Sequence, residues 1–312
     1  MTVRDEPIFT DIYLTVDEFT PEAKAIYVSG TSVEERTAYS SMWQGNALAS
    51  GVQFLKILNQ QTASVEVEFK GSKSKIALRS SKQLRALWSK FAQSVVYLDI
   101  TGLAHHVWAP MMRSALTHVR ELRVVYIEPD DYRFRANPIE GEIFDLSERI
   151  SGVLPIPGFA SLTVSSDDNS CFIPLVGFEG TRLSYLIEQV QPPGGKILPI
   201  VGIPGFLPHY PFQTYHGNQL PFLQTEAWKN VQFATANCPF SLFYRLDNIS
   251  KKYPNDILKI APIGTKPHAL GAILYYLARP RRAEIIYDHP IRKASRTAGT
   301  ARLLVYYISL FM

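Results

Sequence analysis

Four glycines stand where strand-like runs give way to helix-like ones, and the residues around them are of kinds that hold anions or move protons. They are Gly30, Gly102, Gly177 and Gly264. Glycine at such a turn permits a tight backbone and close approach, and the helix that follows offers N–H groups and partial positive charge. Phosphate suits that place. The richest turn is Ile263-Gly264-Thr265-Lys266-Pro267-His268, which joins a flexible backbone to a hydroxyl, an ammonium and an imidazole. Pro267 falls at the favoured first helical turn. Gly264, Thr265, Lys266 and His268 are therefore the first expected anion contacts; the plainer reading is a glycine turn with a capping threonine and a solvated lysine. The pattern GxxxxGK[ST] occurs nowhere, so this is no Walker A loop.

The corresponding loop of the first half contains Asp99, Thr101, Gly102, His105 and His106. Histidine near neutral pH can donate a proton or contact phosphate, although two adjacent histidines opening a helix also cap and pack. The other two turns are Thr31-Ser-Val-Glu34-Glu35-Arg36 and Phe178-Glu179-Gly180-Thr181-Arg182. A carboxylate beside a glycine turn can act as a base or hold a ribose hydroxyl, and acidic residues in a first helical turn also offset the helix dipole. Glu34 is read as dipole compensation; Glu179, His106 and His268 are the acid–base candidates. Arg36 and Arg182 either reach phosphate or tie their helices to a neighbouring acid.

Metal chemistry is not expected. The seven histidines and the two cysteines, Cys171 and Cys238, lie at no zinc-ligand spacing. Without a CxxC pair or a disulfide framework, a reducing, cytoplasmic setting fits best. No signal-like run opens the chain, and the apolar tail from Leu303 to Met312 is too short to span a bilayer, so it reads as a final buried strand. The chain has 312 residues, 46% hydrophobic and 19% charged, with a net charge of +4. That suits two ordinary domains with real cores and a mild preference for anions, not a long nucleic acid or a membrane.

The elements that must position these turns alternate between strand and helix, the pattern of parallel βαβ units. The first half predicts strands at Ala25 to Ser29, Ser64 to Phe69, Val95 to Ile100 and Leu122 to Ile127. Helices are predicted at Val33 to Trp43, continuing toward Leu58, at Ser81 to Ala92 with Ser80-Ser81 as N-cap, and at His106 to His118. The second half predicts strands at Phe172 to Val176, Ile197 to Val201, Val231 to Ala234, Ile257 to Ala261, Ala283 to Tyr287 and Arg302 to Ile308. Its helices are predicted at Thr181 to Val190, Phe222 to Lys229, Pro239 to Lys251 and Pro267 to Ala278. The prolines and polar runs from Arg133 to Asn169 read as a connector with a short hairpin at Ser161 to Ser165. The Pro- and aromatic-rich stretch from Gly202 to His216 is too long for a turn and reads as a lid, stacking platform or partner surface. The basic run Arg279-Pro-Arg-Arg282 reads as a solvated turn at the opposite sheet edge.

The chain also matches itself. Gly102 aligns with Gly264 and His106 with His268 at an offset of 162, and Tyr126 and Pro129 align with Tyr287 and Pro290 at 161. Gly30 aligns with Gly177 at 147, and Arg36 with Arg182 at 146. Ordered anchors with growing offsets imply duplication. The predicted fold is α/β, with two tandem Rossmann-like modules at 1–133 and 171–312, each a mostly parallel sheet flanked by helices, and a connector at 134–170.

The turns Asp99-Ile-Thr101-Gly102 and Ile263-Gly264-Thr265-Lys266, each between a strand and a helix, resemble the signature turn of CRISPR-associated Rossmann-fold (CARF) domains and the related SAVED sensors. The second glycine of that turn is absent from both copies. The resemblance implies a cyclic oligonucleotide or nucleotide ligand bound where the turns of both modules converge, with signalling to a separate effector protein of a bacterial defence system. Two other functions fit the residues: a nucleotide hydrolase or glycosidase using Glu179 or a loop histidine, and a ligand-free scaffold subunit of a larger complex.

Overall fold

A computed structural model describes residues 9–312 apart from 31, 33, 39, 140, 141, 145, 161–168 and 295. The expected hairpin at Ser161 to Ser165 lies outside the described residues. The chain is mixed α/β and divides into two compact units, Met1–Asp131 with Thr297–Met312, and Tyr132–Arg296. These boundaries differ from the expected ones at both ends of the second module. Leu303–Tyr307, expected there, instead pairs antiparallel with Thr10–Tyr13 on one side and Glu121–Ile127 on the other, inside the first unit's sheet. Its five apolar and aromatic residues complete a buried sheet there, and four of them are fully buried.

The first unit is built on an 8-stranded sheet in the order Thr10–Tyr13, Leu303–Tyr307, Glu121–Ile127, Val95–Asp99, Ile26–Gly30, Gln53–Gln60, Ser64–Phe69, Ser72–Ala77. The four strands from Glu121–Ile127 to Gln53–Gln60 run parallel. All five residues of Val95–Asp99 are buried, as expected of a central parallel strand covered on both faces. Tyr27, Trp43, Tyr97, Val125 and Val305 pack around Phe19 in the core of one face.

The predicted helical continuation to Leu58 is corrected: the helix Ser40–Ala49 stops and Gln53–Gln60 is a strand. Gly51 stands at a φ of 80°, its N–H bonds to Leu48 O and that of Val52 to Ala47 O, a Schellman closure that needs a residue tolerant of the left-handed region. The apolar Phe54, Leu55 and Leu58 fit a helical spacing, and only partners on both sides make the segment extended. The Ser80 cap is present, its hydroxyl accepting from Gln83 N and starting Ser81–Trp88.

The second unit holds a 5-stranded, wholly parallel sheet in the order Gln232–Ala234, Ile200–Gly202, Ser170–Leu175, Ile257–Pro262, Ala283–Ile285. Ser170–Leu175 is buried along its whole length. Helices Gly180–Val190, Pro239–Lys252 and Lys266–Ala278 lie close to their predicted spans. The Gly202–His216 stretch contributes the helix Tyr210–Gly217, followed by Gln219–Thr225 where a longer helix from Phe222 was expected. The segment read as a connector is structured: Phe134–Ile139 pairs with Glu142–Phe144, and Ser147–Ile150 pairs with Pro290–Arg292 within the same unit. Among the described residues no helix is long and apolar enough to cross a membrane.

Candidate functional site

In each sheet the chain reverses its direction of winding between two central parallel strands, and the crevice beyond their carboxyl ends is where open α/β sheets hold ligands. The strands are Ile26–Gly30 and Val95–Asp99 in the first unit, and Ser170–Leu175 and Ile257–Pro262 in the second. Gly30 and Gly102 flank the first crevice, Gly177 and Gly264 the second.

The first crevice is closed by its own residues. A Cβ on Gly102 would lie 2.1 Å from Gly30 O, and one on Gly30 would lie 2.2 Å from Leu103 Cδ2. These glycines admit each other's backbone and a leucine rather than a ligand. Gln60 clamps the loop, its Nε2 donating to Gly102 O at 3.0 Å and its Oε1 accepting from Ala104 N at 2.8 Å. Asp99 accepts from Tyr27 Oη at 3.2 Å and from Thr101 N at 2.8 Å, while Thr101 Oγ1 accepts from Ile127 N at 3.0 Å. Arg36 forms an ion pair with Glu34 and donates to Tyr126 Oη at 3.2 Å and Ile127 O at 2.5 Å. Asp99, Thr101, His105, Glu34 and Arg36 are all buried, and His106 is partly so. Here Arg36, Asp99, Thr101 and the backbone of Gly30 and Gly102 fasten strand ends together where ligand roles were expected, and the His105 ring packs against Trp108. Glu34 is more than a dipole complement, since it neutralises a buried guanidinium.

The turn expected to greet phosphate first is packed too. A Cβ on Gly264 would lie 2.7 Å from Val176 O, and one on Gly177 would lie 3.1 Å from Gly264 Cα. Thr265 caps the helix, accepting from His268 N at 3.3 Å and donating to Ala236 O at 2.8 Å. Lys266 and His268 are 5% and 0% exposed, so neither is presented to solvent as an open anion cradle requires. The cause is the Thr235–Ala236 backbone lying over the loop, with His268 Nε2 3.1 Å from Thr235 O.

Burial pulls the His268 pKa down from 6.5 to about 4, against the opposing pull of the carbonyls of Thr235 and Ala234. Because the folded value lies below the unfolded one, His268 is held neutral in the fold. Its stabilising effect is complete above pH 6.5 and is lost as pH falls from there through about 4. The full loss is about 3 kcal/mol, at roughly 1.4 kcal/mol for each tenfold change in proton affinity. Urea unfolding of wild type and His268→Gln across pH 4 to 7 measures it: the variant is expected to lose most of that slope, and parallel curves would contradict the assignment.

The Phe178–Arg182 turn borders open space. Arg182 is bidentate to Asp288, at 2.7 and 2.6 Å, and donates to Ile263 O at 3.0 Å. Burial alone would lower its pKa, but the Asp288 hydrogen bonds and charge outweigh that and raise it, so the guanidinium stays charged. Asn218 Nδ2 donates to Gly177 O at 2.7 Å, and a Cβ on Gly180 would lie 2.0 Å from Gly217 O, so the turn is fixed against the following helices.

Glu179 is engaged three times, accepting from Leu146 N at 3.0 Å, Ser147 N at 2.8 Å and Ser147 Oγ at 2.9 Å. Its carboxylate anchors the Ser147–Ile150 strand to the turn. Alongside, Phe144 stacks on Phe178 at 4.4 Å, Phe134 stacks on Phe144 at 5.1 Å, and Tyr210 meets Phe178 edge-on at 5.1 Å. Tyr210 thereby places the expected lid segment against the turn as packing.

Between strand and turn lies a cavity of about 250 Å³, lined by Arg135, Phe144, Ser147 to Ile150 and Phe178 to Arg182. Arg149 is exposed and has no ion-pair partner among the described residues. The helix Gly180–Val190 begins at this space with the first amides of its opening turn. The lining brings guanidinium side chains, the start of a helix and aromatic residues around one space. Of the expected site residues, Glu179 and Arg182 border the cavity. Arg135, Phe144, Arg149 and Phe178 had not been singled out.

A second cavity, about 310 Å³, lies on the first unit beside Asn59, Gln61, Glu66, Lys73, Ser74 and Lys75. Glu66 stands opposite Lys75 and Glu68 opposite Lys73 on paired strands. Cross-strand pairing and lysines on an edge strand explain that face without a ligand. Among the described residues no cluster of three or more histidine, cysteine or acidic side chains could hold a metal ion. No family model matches the chain, and no curated protein matches it.

Proposed function

We propose that the protein is a nucleotide-sensing regulatory protein whose two units are duplicated Rossmann-like modules, with the open ligand site in the second. The duplication is supported by the paired glycine turns of each crevice and by the matched arginines, both buried and both paired with an acid, Arg36 with Glu34 and Arg182 with Asp288. The observation that carries the ligand reading is the 250 Å³ cavity where Arg135 and Arg149 accompany the start of Gly180–Val190 and the Phe144–Phe178 wall. A phosphate held there gains from the arginines that line the space. A ligand there bears on the Ser147–Ile150 strand and the turn that Glu179 fastens together, and a separate effector of a defence system reads the result. Glu179 serves this as an anchor rather than a base, since its oxygens already accept from Leu146 and Ser147.

Calorimetry with AMP, ATP, cyclic AMP and cyclic di- and tri-adenylates tests the reading. At least one is expected to bind, with affinity reduced about tenfold or more by Arg149→Ala, in line with 1.5–3 kcal/mol for a hydrogen bond to a charged group. Silence across the panel would refute nucleotide sensing.

A further inference from the structure

We infer that the outer edge of the first unit's sheet docks the phosphate backbone of double-stranded DNA. The inference stands apart from the nucleotide site, since every residue it uses lies in the first unit.

The first argument is the distribution of charge. The chain's net charge is only +4, yet residues 70–90 hold seven bases, Lys70, Lys73, Lys75, Arg79, Lys82, Arg85 and Lys90, and no acid. The remainder of the chain is therefore acidic overall, and the modest total hides a concentrated positive surface. All seven bases are exposed, and among the described residues none of them is in an ion pair. Glu66 and Glu68 stand opposite Lys75 and Lys73, and counting both acids still leaves five bases in excess. The helix His105–Ala115, against which Ser81–Trp88 packs, has no acid to offset them. Lysines on an edge strand deter stray pairing, which accounts for Lys73 and Lys75. The others guard no open ladder.

The second argument is geometry. Lys70 and Gly71, at φ of 51° and 77°, form the two-residue turn between Ser64–Phe69 and Ser72–Ala77. From that tip Ser72–Ala77 runs along the sheet edge for about 20 Å. Helix Ser81–Trp88 then returns beside it. Ala77 N donates to Gln83 Oε1 at 2.7 Å at one end, and the Phe91 ring meets Phe69 at 5.0 Å at the other. Phe69 faces the opposite side of the sheet from its neighbour Glu68, which shares a face with Lys73. Lys73 and Lys75 thus stand on one side of the edge, and the helix bearing Lys82 and Arg85 lies on the other.

Two basic rows astride one ridge match the phosphates on either wall of the B-DNA major groove, about 12 Å wide, whereas the major groove of A-form RNA is narrow and deep. No aromatic ring of residues 69–91 is exposed for unpaired bases to stack on, and Ile76, Leu84, Leu87 and Trp88 are buried, which leaves no large side chain to enter a bilayer.

Fluorescence anisotropy with a labelled DNA duplex of about 20 base pairs tests the inference. Binding is expected at 50 mM salt and is expected to weaken about a hundredfold or more by 200 mM, as bound counterions are released. The triple variant Lys82→Gln, Arg85→Gln, Lys90→Gln is expected to weaken binding about tenfold or more and to flatten the salt dependence. Glutamine is a good helix former and the three side chains are exposed, so this variant keeps the fold. The triple variant Lys229→Gln, Lys251→Gln, Lys252→Gln removes the same charge from exposed positions of the second unit and is expected to leave binding unchanged. Lys73→Gln with Lys75→Gln is expected to weaken it, and an unchanged affinity there overturns the two-walled contact. No binding at 50 mM salt, or equal losses in the two triple variants, overturns the surface. Tighter binding to an RNA duplex, to a single strand of the same sequence or to phosphatidylserine vesicles overturns the choice of partner.

Discussion

Asp288→Ala is expected to remove about 3–5 kcal/mol of stability, the penalty for leaving a buried guanidinium without its acid. Asp288 is 0% exposed and Arg182 is 8% exposed, and their two parallel hydrogen bonds are 2.6 and 2.7 Å long. Against a total folding stability of roughly 5–15 kcal/mol this is a large fraction, so the variant unfolds at far lower urea or fails to accumulate. The double variant Arg182→Met with Asp288→Leu removes both charges together and is expected to recover much of the loss, because desolvation offsets most of what such a pair gains. Urea denaturation of the singles and the double measures the coupling. A loss under about 1 kcal/mol in Asp288→Ala would mean that the pair is open to water.

Gly102→Ala is expected to cost about 3 kcal/mol, at or beyond the upper end of ordinary overpacking. The added carbon would sit 2.1 Å from Gly30 O and 3.1 Å from Thr37 Cγ2, and the nearer atom is backbone between two strands of a parallel sheet. Relief requires the strand ends to part. Gly45→Ala is the matched control: Gly45 lies within the helix Ser40–Ala49 with nothing within 4 Å of a new Cβ, so it gains about 0.5–1 kcal/mol from helix propensity. Thermal unfolding of the two variants should move in opposite directions. A Gly102→Ala protein as stable as wild type would show that the turn is an open ligand approach and not a packed joint.

These two outcomes bear on what was readable before the fold was known. The buried strands at Val95–Asp99 and Ser170–Leu175 announced themselves as β-branched and apolar runs bounded by polar turns, and the four glycines marked the crevices correctly in kind. What spacing alone left undecided was which atoms those glycines admit. A glycine needed for a neighbouring carbonyl and one needed for a phosphate are identical in one dimension; Gly30 O beside Gly102 is a tertiary fact. The same holds for Lys266 and His268, whose burial follows from the Thr235–Ala236 backbone lying far earlier in the chain.

The cavity's arginines are faint in the sequence for a different reason. Phe134–Ile139 holds a proline and an alanine-asparagine pair, and Ser147–Ile150 is a four-residue Ser-Glu-Arg-Ile run, so neither has the apolar alternation that marks a strand. They are extended because they pair with Glu142–Phe144 and Pro290–Arg292, and because Glu179 holds Ser147 from the turn. Glu179 was legible as a residue with a task; that its task is to fasten a strand depends on Ser147, 32 positions away.

Amide hydrogen exchange with and without saturating AMP tests most directly the claim that the ligand site lies in the second unit's cavity. Slowed exchange is expected in Ser147 to Ile150 and Phe178 to Arg182, with the Gly30 and Gly102 turns unchanged. Protection confined to Gly30, Gly102 and their neighbours, with none at the Glu179 turn, would contradict it.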